Sequence, residues 1–141
     1  MPTVKIARLL ALVAGTLDFC TGLGLVFVPQ QILPLMHVNI PTSEALVYLR
    51  FVGTFVGAVG ACYLFALVRG GLNRLRFMLE LTILFRLSAG IFSVTAIGLG
   101  WLSFAWASVP ATDFALVGLQ LWLVLKLIPP DVQAPSPSSG A

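Results

Sequence analysis

The stretch LTILFRLSAGIFS, residues 81–93, is apolar enough to sit in lipid, yet Arg86 stands at its centre. Arginine keeps its charge under all ordinary conditions. A charge at mid-bilayer costs at least ~2.5–3.5 kcal/mol on insertion scales. The segment therefore reads as a membrane helix with one face turned away from lipid, and Arg86 needs a partner on that face.

The rest of the chain agrees with a membrane setting. Of its 141 residues, 59% are hydrophobic and 9% charged, with mean hydropathy +1.03. A soluble domain carries about 25% charged residues, so a bilayer must do the solvating. The net charge of +3 and pI near 9.3 do not indicate a nucleic-acid binder. No basic cluster interleaved with aromatics is present, and the cations lie mostly at the ends of apolar runs. Cys20 and Cys62 fall inside apolar runs without a C-x-x-C spacing or ligand-type neighbours, so they read as small buried hydrophobes. The N-terminus resembles a signal peptide, but its apolar run continues past Asp18 to Val28 without an A-x-A site. A retained helix is expected.

Four segments reach the roughly 20 residues a span needs. They cover about 6–28, 44–68, 74–99 and 110–128. Pro29 stops the first, Thr42 or Ser43 caps the second, and Pro129-Pro130 ends the fourth. The fold expected is all-α, a four-helix transmembrane bundle over 1–128. The Pro/Ser-rich tail 129–141 reads as disordered. Lys5, Arg8, Arg69, Arg74, Arg76 and Lys126 gather at one end, and the first and third loops contain no Lys or Arg. The positive-inside rule then puts both termini in the cytoplasm. The apolar first loop, PQQILPLMHVNIPTS, is expected to lie along the membrane surface.

Depth supplies a partner for Arg86. Asp18 lies twelve residues past Ile6, and Arg86 twelve past Arg74. At about 1.5 Å per residue, both sit roughly 18 Å from the same side. In the outer half, Arg50 and Asp113 descend to roughly 9 and 4–5 Å, and form a second expected pair. Asp113, in a first helical turn, also gains from the macrodipole. Small and polar residues share these faces: Gly15, Asp18 and Gly22; Arg50, Gly53, Gly57 and Gly60; Arg86, Gly90 and Ser93; Asp113, Val117 and Gln120. Small residues let membrane helices approach closely. Two inward acids against two inward bases favour a static lock over a proton relay.

Arg76 and Glu80, four apart, read as a local surface pair, and Glu44 as a helix-start anion. His37, the one histidine, is a loop residue on the simplest reading and a haem or chlorophyll ligand on the alternative. The ten phenylalanines are explained by lipid-facing and core packing. No phosphate loop, catalytic triad, H-E-x-x-H or paired-carboxylate motif is present, so no enzyme and no metal site is expected.

The segments LDFCTGLGLVFVP, LRFVGTFVGAVGACYL, FRLSAG and TDFALVGLQLW resemble the DoxX-like group of small bacterial four-helix membrane proteins. The resemblance covers about residues 6–128. It implies a helical bundle in a bacterial plasma membrane, and no activity or site residue is carried over from it. Small multidrug transporters match in length and in an acid on the first helix, but lack the intramembrane arginines.

Function is left with two expectations. The first is an integral accessory or scaffold subunit on a larger membrane complex of respiratory or photosynthetic type. The second is a proton-coupled small-molecule transporter or channel, a homo-oligomer with Asp18 as carrier.

Overall fold

The structure is a computed structural model that describes residues 2–127. The tail from 129, and Ile128 at the expected end of the fourth span, lie outside the described residues. Among the described residues five α-helices follow one another: α1 Pro2–Phe27, α2 Pro29–Leu35, α3 Ser43–Arg69, α4 Leu72–Gly98 and α5 Ser108–Lys126. A 3-10 turn, Phe104–Ala107, leads directly into α5. Four helical segments are long and apolar enough to cross a membrane, the last running from Phe104 to Lys126.

Local chemistry sets the boundaries. Pro29 occupies the first turn of α2, where its missing N–H costs nothing, and Val28 separates α1 from α2. Thr42 caps α3, its side chain accepting from the Ala45 amide at 3.4 Å. Gly70 and Gly71, at φ +72° and +95°, turn the chain from α3 into α4. An L side chain is strained at those angles, which explains the Gly-Gly pair there. His37 is the one non-glycine residue with positive φ among those described, at 58°. It ends α2: its amide donates to the Pro34 carbonyl and that of Val38 to the Leu33 carbonyl, each at 3.0 Å. This pattern is a Schellman motif, with the usual contact between the residues on either side, since Val38 packs on Leu33.

Packing divides the bundle into two pairs. α1 lies along α3, and α4 along α5, while contacts between the pairs are far fewer. The α1–α3 seam is made by glycine. A Cβ on Gly22 would strike the Gly57 backbone and come to 2.7 Å from the Gly53 carbonyl oxygen. One on Gly60 would strike Phe19 and come to 2.6 Å from the Gly15 oxygen. Gly53 meets Leu25 in the same way, and Gly15 meets Tyr63. The expected small-residue faces of the first two spans thus face each other. Gly90 on α4 faces the ring of Phe114 on α5.

The pairs meet around an apolar core of Ala7, Leu10 and Ala11 from α1, Leu75, Leu79 and Ile83 from α4, and Val117, Leu123 and Val124 from α5. At the opposite end, the first loop folds back on the bundle. Leu33, Val38 and Leu46 are buried together there, with Trp106 and Ala105 against them.

Candidate functional site

Between those two apolar layers lies the one charged centre buried among the described residues. Arg86 is 6% exposed on α4. Its Nη2 donates to Asp18 Oδ2 at 2.5 Å and its Nη1 to Asp113 Oδ1 at 2.9 Å. Each terminal nitrogen thus holds a carboxylate from a different helix, α1 and α5. The expected Asp18–Arg86 pair is present.

The expected Arg50–Asp113 pair is not. Arg50 is exposed on α3 and has no ion pair among the described residues. Two physical reasons account for this. First, α3 and α5 belong to different pairs and their backbones do not approach each other. Second, Asp113 lies deeper than counting from Pro110 implies. The fourth span starts at Phe104, so Asp113 sits nine residues into it, roughly 15 Å down when the 3-10 turn is included. Arg86, twelve residues from the end of α4 at Gly98, lies at roughly 18 Å. The same shift moves Asp113 out of the first turn of α5, where the macrodipole would have acted. Arg50, near the start of α3, can extend its head to the membrane surface.

The core is therefore not balanced. It holds two carboxyl groups and one guanidinium, against the expected two and two. Asp113 and Arg86 sit on helices that pack along their length, so that contact is internal to one pair. Asp18 belongs to the other pair. Its bond to Arg86 is the charged clasp between the two halves.

A second buried cluster joins the same halves. The Tyr63 hydroxyl of α3 donates to Thr82 Oγ1 of α4 at 2.6 Å, and Thr82 donates to the Met78 carbonyl at 2.7 Å. The Gln120 amide nitrogen of α5 donates to the Tyr63 hydroxyl, and reaches Thr82 Oγ1 at 3.2 Å. Tyr63 and Gln120 are fully buried and Thr82 nearly so. Among the described residues, two buried side-chain polar atoms have no partner, Arg86 Nε and Gln120 Oε1. One is a donor and one an acceptor, and they belong to the charged centre and to the cluster beside it.

Gln120 was legible in the sequence as a polar residue on the Asp113 face. Tyr63 and Thr82 were not, though the signal existed. Tyr63 follows Gly60 by three residues on the seam face of α3, and Thr82 precedes Arg86 by four on α4. His37 lies exposed at the end of α2, away from this centre, with its backbone committed to ending a helix. Arg76 Nε and Glu80 pair at 2.8 Å as expected. Cys20 and Cys62 are free and exposed on the helix surfaces rather than buried, because each points away from its helix's packed face. No cluster of three potential metal-ligating His, Cys, Asp or Glu side chains occurs among the described residues.

The fold and the site define, over the described residues, an all-helical chain with four helices long and apolar enough to span a membrane and a buried Asp–Arg–Asp centre. No family model, curated protein or solved structure matches it.

Proposed function

We propose that the chain is a proton-coupled small-molecule transporter or channel, acting as a homo-oligomer, in which Asp18 gains and loses the proton. The observation that carries this reading is the charge count at the centre: two carboxyl groups on one guanidinium. With both carboxyls ionised the centre carries a net negative charge in a low-dielectric interior, where an uncompensated charge is costly. One proton, or one cation taken in its place, makes it neutral. Asp18 is the group for this role because its ion pair alone bridges the two helix pairs. When Asp18 is protonated, Arg86 keeps Asp113 and the charged clasp to α1 is released. When Asp18 is ionised, the clasp closes. The unpartnered Arg86 Nε and Gln120 Oε1 offer a small polar solute a donor and an acceptor beside the same centre.

This reading goes with both termini in the cytoplasm, from the Lys and Arg bias, and with a bacterial plasma membrane as the site of action, which the resemblance alone implies. It uses no cofactor and no catalytic residue, and His37 has no part in it. The test is proton movement into liposomes carrying the purified protein under an imposed pH gradient. Wild type is expected to dissipate the gradient faster than empty liposomes, and Asp18→Asn to remove the difference. Equal rates for the two proteins would end the proposal.

A second reading, an accessory or scaffold subunit of a larger respiratory or photosynthetic membrane complex, is favoured by two features. The glycine seam holds α1 close against α3, and the Tyr63–Thr82–Gln120 cluster ties α3, α4 and α5 together. The neutral interior that first suggested this role is lost with Arg50. A gentle-detergent pull-down from native membranes separates the two readings. Stoichiometric recovery of larger subunits supports the scaffold, and recovery of the chain alone supports the transporter.

A further inference from the structure

Away from the charged centre, a sizeable groove opens on the molecule. It lies between α3 and α4 beside the Gly70–Gly71 turn, with a volume of about 510 Å³. Small-molecule sites occupy roughly 300–1,000 Å³. α3 and α4 are joined by the two-residue Gly70–Gly71 turn, yet pack against other helices, α1 and α5, more than against each other. The wedge left between them is the groove. Its walls are Cys62, Phe65 and Ala66 from α3 and Phe77 and Met78 from α4, and Arg74 stands in its lining. The guanidinium of Arg69 lies over the Phe65 ring, 5.6 Å from its centroid.

We propose that this groove binds one acyl chain of an anionic phospholipid, with the lipid phosphate held by Arg69 and Arg74. Charge complementarity argues for that occupant. Arg76, the third arginine of this turn, already has Glu80 as its partner. Arg69 and Arg74 have no acidic partner among the described residues, and both are exposed. Two unspent cations thus stand above an apolar slot at the level where a membrane helix ends. A headgroup phosphate in the same leaflet meets both requirements. A zwitterionic lipid supplies the same chain but cancels its own phosphate charge. Basic pockets between membrane helices are recognised seats for such headgroups. The site is distinct from the Asp18 centre and does not depend on that centre's function.

Native mass spectrometry of the purified protein with equal amounts of phosphatidylglycerol and phosphatidylcholine tests this. Wild type is expected to retain phosphatidylglycerol in preference, by about fivefold for each engaged arginine. Arg69→Gln with Arg74→Gln should abolish the preference. Arg8→Gln, which removes a cation at the same end of the bundle but outside this groove, should leave it intact. Ala61→Phe, which fills the groove, should lower retention of both lipids. Circular dichroism of each variant verifies its fold, and all four positions lie outside the buried polar clusters. Equal retention of the two lipids by wild type would overturn the proposal. So would a preference that survives the double change, or one lost equally in Arg8→Gln.

Discussion

Removing Arg86 and removing Asp18 should have very different costs. Arg86→Gln leaves Asp18 and Asp113 buried near each other with no cation between them. Breaking a buried pair by deleting one partner costs about 3–5 kcal/mol. Asp18→Asn leaves the 2.9 Å Arg86–Asp113 bond untouched and makes the centre neutral. The asparagine oxygen can still accept from Nη2, so the loss should stay under about 1 kcal/mol, the size of one ordinary hydrogen bond. The gap of about 3 kcal/mol is roughly a hundredfold in the unfolding equilibrium. Reversible unfolding in mixed micelles, titrated with a denaturing detergent and followed by circular dichroism, reads it directly. In a balanced one-to-one lock, either change would orphan one buried charge and the two costs would match. Equal costs would therefore refute the two-to-one centre. A small cost for Asp18→Asn has a second use, since it leaves a folded protein for the flux assay.

Other positions give independent tests in the same unfolding assay. Gly60→Ala puts a methyl into the backbone of α1 and should cost about 1–3 kcal/mol, whereas Gly118→Ala, with nothing within 4 Å, should be neutral or gain up to about 1 kcal/mol. Tyr63→Phe removes the hydroxyl that links Thr82 and Gln120, and should cost about 0.6–1.7 kcal/mol, the range for interhelical hydrogen bonds in membranes. His37→Gly relieves a left-handed residue at a helix end and should hold or raise stability by up to about 1 kcal/mol; a clear loss would mean that the imidazole has a binding partner.

The four spans were legible because length and hydropathy decide them, and the chain has little else to offer water. Asp18 against Arg86 was legible because the starting points counted from, Ile6 and Arg74, both fall within the first turn or so of their helices, which begin at Pro2 and Leu72. Asp113 was misjudged because its span begins in a 3-10 turn, FAWA, that carries no sequence signature of a helix start. Counting from the proline at 110 made it shallow and paired it with Arg50. The pairing of α1 with α3 was implicit in their matching glycine faces, but small residues say that a helix approaches something closely, not what it approaches. Tyr63 and Thr82 escaped notice because an aromatic and a β-branched residue are unremarkable on apolar helices. Their polar tips matter only once three helices bring them together.

At the centre of the bundle one guanidinium serves two carboxylates from different helices. Carbon–nitrogen distance measurements by solid-state NMR, on reconstituted protein labelled at arginine and aspartate, test it most directly. The side-chain nitrogens of Arg86 are expected to couple to the carboxyl carbons of both Asp18 and Asp113, and both couplings to vanish in Arg86→Gln. Coupling of Asp113 to Arg50, with Arg86 touching Asp18 alone, would contradict it and restore a balanced, static core.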